Sequence, residues 1–249
     1  MAGTALPGRL TWHAARVVSA RNETARVRTI VFDCPDWAGH LPGQHVDIRL
    51  TADDGYQAQR SYSIASAPED EQLELTVERL DDGEVSLYLV DEVQPGDELE
   101  LRGPIGGYFV WTAPDGGPLL LVAGGSGVVP FRSMLRHRAA ADSSAPVRLL
   151  YSARAQHEVI YRDELARLDA DDGVDVRFTF TRQTPDGWAG YDRRVDAGIL
   201  GDVAWPPEDR QLVFVCGPTG FVEAAATALV DLGHDPASIR TERFGPTGR

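Results

Sequence analysis

The sequence predicts a two-domain protein. An N-terminal six-stranded antiparallel β-barrel occupies residues 10–112, and a C-terminal α/β domain with a parallel five-stranded sheet occupies residues 118–249. Three observations lead there. The first half holds six short segments rich in β-forming residues, set apart by Pro, Gly, Asn or Asp turns, which is the spacing of a small antiparallel barrel. The second half alternates apolar strands with helical segments, as a parallel sheet covered on both faces requires. Between them, turn residues cluster in "WTAPDGGP" at 111–118.

The six barrel strands are expected at 12–19, 26–32, 45–50, 61–65, 73–80 and 98–102, interrupted by one helical turn at 85–91 in "GEVSLYLVDE". The second domain opens on a fully apolar run, 119–123, that reads as a buried strand. A Gly-rich turn and a helix at 131–139 follow. Next come a strand at 147–152, a helix at 162–168, a strand at 174–181 and a weaker helical stretch at 195–201. The apolar strand 212–216, a helix at 221–232 and a strand at 239–244 complete the alternation. There is no internal repeat and no low-complexity tract.

Composition narrows the function. A chain of 249 residues with 43% hydrophobic and 25% charged residues can bury a core of one large or two ordinary domains. A formal net charge of −14 argues against nucleic acid or an anionic membrane as partner. All 24 basic residues are arginine, which fits either a preference for bidentate pairing or coding bias in a GC-rich genome. No apolar run reaches the ~18 residues of a membrane span, and the N-terminus lacks the features of a signal peptide, so a cytoplasmic location is expected. The two cysteines, Cys34 and Cys216, are too far apart in sequence to read as a disulfide framework. The six histidines show no metal-ligand spacing, so no metal is expected. No G-x-S-x-G occurs, and neither Ser126 nor Cys216 has an evident base partner, so hydrolase chemistry is poorly supported.

Several short motifs carry chemistry. "RSYSIAS", Arg60 to Ser66, alternates Arg60, Tyr62 and Ile64 on one face against Ser61 and Ser63 on the other. A guanidinium, a phenol and small hydroxyls suit a planar anionic ligand better than a core. In "GEVS", Gly83, Glu84, Val85 and Ser86 open the one helix among strands. Ser86 fits an N-terminal cap, and the same amides fit a phosphate that Arg60 would grip from the other side. In "LLLVAGGSGVVPF" a buried strand enters Gly124, Gly125, Ser126 and Gly127, and a helix leaves near Pro130, a phosphate-loop arrangement that departs from G-x-G-x-x-G. "VFVCGPTG" repeats the device at a second strand end, where Cys216, Gly217 and Pro218 open a helix near Gly220. Cys216 reads equally as core or as a ligand contact at that strand end. Ligands of open α/β sheets bind beyond the carboxyl ends of the strands, so the two loops are expected to face one crevice. Arg154, Arg182 and the pair Arg193–Arg194 follow successive elements of the same sheet. They read singly as solvated charges, and together as an anion pocket.

These residues resemble the ferredoxin–NADP reductase family of flavoproteins over about residues 10–244. "RSYS" matches its R-x-Y-S flavin motif, "GEVS" its second flavin-phosphate motif, and "GPIGGYF" the Gly-rich segment that closes the barrel domain. "GGSGVVP" and "CGP" match its nicotinamide-dinucleotide motifs. The resemblance implies FAD and NADPH as cofactors, with NADH the alternative. It places Arg60 on the flavin pyrophosphate, Tyr62 on the isoalloxazine and ribityl chain, and Ser63 near flavin N5, flanked by Ser61 and Ile64. It gives Gly83 to Ser86 to the pyrophosphate, residues 124–127 to the coenzyme phosphates, and Cys216 with Gly217 and Pro218 to the hydride-transfer position. Arg154, Thr181, Arg182 and Arg194 stand where NADPH-using members hold the 2′-phosphate. Glu242 and Phe244 in "ERFGPTGR" keep an acid-x-aromatic pattern whose aromatic shields the flavin in many members; here five residues follow it.

The function so implied is an FAD-dependent NAD(P)H oxidoreductase that takes hydride from NADPH and passes electrons to a separate acceptor, a ferredoxin or another redox partner protein. The chain lacks the C-x₄-C-x₂-C of a fused plant-type ferredoxin domain. The alternatives are the reductase component of an oxygenase or oxidoreductase, a small-molecule (flavin, ferric or quinone) reductase, and a flavin-binding regulatory subunit without catalysis. A monomer is expected.

Overall fold

A computed structural model describes residues 10–170 and 173–245. The first domain is built from β1 (Trp12–Thr24), β2 (Val27–Asp33), β3 (His45–Thr51), β4 (Gln57–Ser63), β5 (Leu73–Glu78) and β6 (Glu98–Ile105), with α1 (Glu84–Leu87) between the last two. α1 continues through a π-helical turn at Tyr88–Glu92. The strand order is β4-β3-β6-β1-β2-β5 with every named pair antiparallel. The two edges meet through a bridge between Ile64 and Leu75 and a 2.8 Å hydrogen bond from the Ala65 amide to the Glu74 carbonyl, so the sheet closes as a barrel. Alternate residues of its strands, among them Ile30, Phe32, Val46, Ile48, Leu75, Val77 and Leu101, fill the interior.

One boundary differs from expectation in a way that matters. The fourth strand was expected at 61–65 and runs Gln57–Ser63. Its polar start, Gln57 to Arg60, pairs fully with β3 while three of those four side chains face solvent, so hydropathy hides it. Past Ser63 the Ile64 amide still donates to the Gln44 carbonyl just before β3, while Ile64 and Ala65 pair with β5. The strand thus ends at the barrel rim on Ser63.

The second domain contains β7 (Leu119–Gly124), a 3₁₀ turn at Gly125–Val128, α2 (Val129–Ala140), β8 (Val147–Ala155), α3 (Arg162–Ala170), β9 (Val174–Gln183), α4 (Ala197–Val203), β10 (Leu212–Pro218), α5 (Thr219–Asp231) and β11 (Ile239–Phe244). All five strands are parallel, in the order β11-β10-β7-β8-β9. Every residue of β7 is buried. Leu119, Leu121 and Ala123 join the core that includes Phe131 and Met134 of α2 and Leu165 of α3. Leu120 and Val122 join the one that includes Ile199 of α4 and Val222 and Leu229 of α5. Each such leucine contributes about 1.5–3 kcal/mol of burial, which is why a continuous apolar run marks the central strand. The order reverses between β7 and β10, and this switch point is where a doubly covered sheet leaves a crevice at its carboxyl ends.

The domains are joined by a buried polar contact. Arg132 of α2, 4% exposed, donates to the Glu74 carboxylate at 2.6 Å, to the Ala65 carbonyl at 3.2 Å and to Glu164 at 2.8 Å. Its guanidinium also lies over the Tyr161 ring, and the Tyr161 hydroxyl bonds Thr76. Ser133 donates to the Ser66 carbonyl at 2.6 Å, and Arg136 pairs with Asp70 at 2.7 Å.

Candidate active site

At the switch point the two glycine loops pack against each other, Gly217 lying close to Gly124 and Gly127 to Cys216. Gly127 packs directly on the Cys216 carbonyl, so any Cβ there would overlap it. A Cβ on Gly124 would lie 2.8 Å from the Phe221 ring. Gly125 sits at φ +55° with open space where a Cβ would stand, so the outer side of the loop is bare backbone. The loop then becomes the first turn of α2, with Pro130 in that turn. Bare amides at a helix start, with room above them, fit a diphosphate.

From β10 and β11 come Cys216 and Glu242, which stand opposite each other in the parallel register. Cys216 is fully buried, and burial together with the neighbouring Glu242 charge pushes its thiol well up, so it remains a neutral thiol. Burial also lifts the Glu242 carboxyl to about 7. Its Oε1 lies 3.7 Å from His45 Nδ1, while its buried Oε2 has no partner among the described residues. Burial lowers the His45 imidazole, against the pull of Asp47. His45 is in turn the register partner of Ser63 on β4. The Ser63 hydroxyl has no partner among the described residues and is half-buried at the barrel rim. His45, beside Ser63 in the barrel, thus contacts Glu242, which stands beside Cys216 in the parallel sheet. Phe244 stands opposite Pro218 and packs, half-buried, against the core that includes Cys216.

On the barrel side the motif residues separate into groups. Arg60 is exposed, makes no ion pair among the described residues, and donates only to the neighbouring Gln59 carbonyl. Close by, Tyr56 donates to Glu84 at 3.0 Å, tying the start of α1 to this side of β4. The Gly83 amide donates to the Leu80 carbonyl at 3.0 Å, so it is Arg60 and the amides from Glu84 onward that present an uncompensated cation and a helix start together, a donor set that fits a flavin diphosphate. Tyr62 is half-buried, and burial pushes its phenol upward, so it offers a neutral aromatic face. The remaining motif side chains are otherwise engaged. Ser61 donates to Asp47 at 2.6 Å, and Ile64 and Val85 are core. The capping expectation for Ser86 is corrected: Gly83 holds the N-cap position, and the Ser86 hydroxyl accepts from the Leu80 amide while donating to the Gly83 carbonyl. It stiffens the loop before the helix rather than its first turn.

Arg154 near the end of β8 and Thr181–Arg182 near the end of β9 stand on adjacent strands, where Thr181 contacts the Ala153 carbonyl. The segment carrying Arg194 runs beside them, held by the bridge between Thr179 and Tyr191 and by the Thr179 hydroxyl on the Arg193 carbonyl. Arg154, Arg182 and Arg194 are exposed and make no ion pairs among the described residues. Their free guanidiniums suit a phosphomonoester. Among the described residues no cluster of three metal-ligating side chains occurs, and no helix is long and apolar enough to cross a membrane.

A closed barrel with Arg60 beside a helix start, abutting a parallel sheet with a glycine loop at its switch point, is the architecture of a two-domain flavin- and nicotinamide-nucleotide-binding protein. Comparison with known proteins agrees. Residues 14–110 match the oxidoreductase FAD-binding domain, and residues 121–227 the oxidoreductase NAD-binding domain. The chain is 34% identical to ferredoxin–NADP reductase B of Sorangium cellulosum, covering 92% of this chain and 96% of that one. It is 32% identical to the glycine betaine monooxygenase reductase subunit of Chromohalobacter salexigens over 95% of this chain, and spans 66% of the length of that relative. Among solved structures, the flavohem-like FAD/NAD-binding domain of nitric oxide dioxygenase from Vibrio cholerae superposes with a TM-score of 0.83 at 27% identity, covering 94% of this chain and 99% of that one. The chain belongs to the ferredoxin–NADP reductase family of flavin-dependent NAD(P)H oxidoreductases.

Proposed function

We propose that the protein oxidises NADPH with FAD and hands the electrons to a separate acceptor protein, a ferredoxin or the oxygenase component of a two-part system. The observation that carries this reading is the contact of His45, the register partner of Ser63, with Glu242, the register partner of Cys216, across the domain boundary, which we place at residues 111–118. Bound FAD supplies the redox chemistry, taking hydride and releasing electrons. The chain's own residues seat and orient. Arg60 and the amides from Glu84 hold the flavin diphosphate, and the 124–127 loop holds the coenzyme diphosphate. Tyr62 packs on the flavin, and the Ser63 hydroxyl, which has no protein partner among the described residues, offers a hydrogen bond at the barrel rim. The neutral Cys216 thiol brings bulk without charge to the place where nicotinamide would lie. Glu242, lifted to about 7, can hold a proton there near neutrality. Phe244 walls the same edge. Because one chain supplies all these groups, a monomer suffices.

Arg154, Thr181, Arg182 and Arg194 favour NADPH over NADH. Two relatives support a protein acceptor: one is a ferredoxin–NADP reductase and one a monooxygenase reductase subunit. The test is anaerobic titration of the purified yellow protein with each coenzyme, followed by reduction of candidate ferredoxins and oxygenase components. We expect NADPH to bleach the flavin bands with the higher kcat/KM. A preference for NADH overturns the coenzyme assignment. Turnover with free flavin or ferric iron, but with no protein acceptor, overturns the acceptor assignment.

A further inference from the structure

The coenzyme loop carries a contact that the family motifs do not account for. Ser126, the single hydroxyl in Gly124–Gly127, donates at 2.7 Å to the carboxylate of Glu78, the last residue of β5 in the other domain. Glu78 is half-buried. No cation lies within ion-pairing distance of it among the described residues: neighbouring Arg79 pairs with Asp81 and Asp91, and Arg26 with Asp81. A bare carboxylate is thus held against the loop whose amides are arranged for an anion.

We propose that Glu78 sets coenzyme affinity by weakening the grip of the 124–127 loop on the diphosphate, an inference that rests on the coenzyme reading of that loop. Two effects act in the same direction. Like charges repel across the short gap between the carboxylate and a diphosphate on the loop amides. A hydroxyl also has only one proton, and Ser126 gives it to Glu78, so it cannot donate to a phosphate oxygen. Oxidised and reduced coenzymes carry the same diphosphate, so the penalty is uniform. It raises KM and hastens release of the oxidised product while leaving the hydride step untouched.

The test uses the FAD-loaded protein and NADP⁺, with the dissociation constant measured by calorimetry at low and high salt. Glu78→Gln keeps an acceptor for Ser126 and removes the charge. It should bind NADP⁺ about tenfold more tightly at low salt, the equivalent of about 1.4 kcal/mol. The advantage should shrink severalfold in about 0.5 M salt. In steady state, KM should fall with kcat equal to or below that of wild type. Glu78→Ala, which also frees the Ser126 hydroxyl, should tighten binding at least as much. Adding Ser126→Ala to it should give back part of the gain. Binding by both Glu78 variants within twofold of wild type, or weaker, overturns the proposal, as does a gain indifferent to salt. If the wild-type protein binds neither NADP⁺ nor NADH, the coenzyme reading of the loop fails and takes the proposal with it.

Discussion

Replacing Arg132 by leucine removes the central cation of the domain interface while keeping an apolar side chain in α2. Three hydrogen bonds go with it: those to Glu74 and Glu164, and the one to the Ala65 carbonyl. Charge-assisted bonds contribute about 1.5–3 kcal/mol each and a neutral one about 1 kcal/mol. Against this, burying leucine returns about 2 kcal/mol. Both carboxylates keep a second partner, Glu74 in Arg21 at 2.9 Å and Glu164 in Arg136 at 3.4 Å, so neither is stranded completely. The net loss should be about 3 kcal/mol at neutral pH, the low end of what breaking a buried pair costs. The loss should also depend on pH. Burial works against the Glu74 charge, but Arg132 and Arg21 outweigh it and hold the carboxyl below its ordinary value. A depressed carboxyl stabilises the fold above its unfolded pKa, and the benefit vanishes as pH falls through the folded one. The deficit of Arg132→Leu should therefore narrow as Glu74 is protonated. Urea unfolding followed by tryptophan fluorescence, from pH 7 down to pH 3, measures it. A deficit under 1 kcal/mol at pH 7, or one unchanged across the range, would refute a stabilising Arg132 contact between the domains.

Two further outcomes follow from the site. Gly127→Ala forces a methyl into the Cys216 carbonyl, backbone against backbone. It should cost about 1–3 kcal/mol by overpacking and displace Cys216, so that unfolding midpoint and coenzyme binding fall together in parallel denaturation and calorimetry runs. Glu242→Gln addresses the raised carboxyl. Between 4.5 and about 7 the folded state holds a proton that the unfolded state has lost, so wild-type stability should decline as pH rises through that window. The amide has no such term, and the variant should gain on wild type by up to about 3 kcal/mol at pH 8 while matching it near pH 4. Urea midpoints at the two pH values decide it, and a constant difference would contradict the burial account.

How far the sequence carried the reading depended on what kind of information each feature needed. The run Leu119–Ala123 was legible because burial on both faces leaves no polar position to confuse it. The two glycine loops were legible because their geometry is local: Gly125 needs its positive φ, and Pro130 suits the first turn of α2. β4 was misplaced because Gln57 and Gln59 are exposed and carry no hydrophobic signal, even though their backbone is fully paired. His45, Glu78 and Arg132 were not singled out at all. Each acts on a residue far away in sequence, Glu242, Ser126 and Glu74 respectively, and no periodicity within one segment reports such a contact.

What the three missed residues share is the domain boundary, and this explains the chemistry placed there. In the proposed function neither domain contains a complete site: the barrel presents Ser63 and His45 without Cys216 or Glu242, and the parallel sheet presents the converse. Productive geometry therefore depends on the relative placement of two separately folded units, and a shift of about 1 Å in such a placement can reduce turnover on the order of a hundredfold. Stability alone does not favour the arrangement, since the unpartnered Oε2 of Glu242 costs about 1–3 kcal/mol of desolvation. The Arg132 contact supplies the compensating order. A planar guanidinium bonded to acids from both domains and to a barrel carbonyl fixes direction as well as distance. On this view the two features are complementary: the Arg132 contact fixes the relative placement of the domains, and in the proposed function the buried Glu242 carboxyl holds a proton near neutral pH.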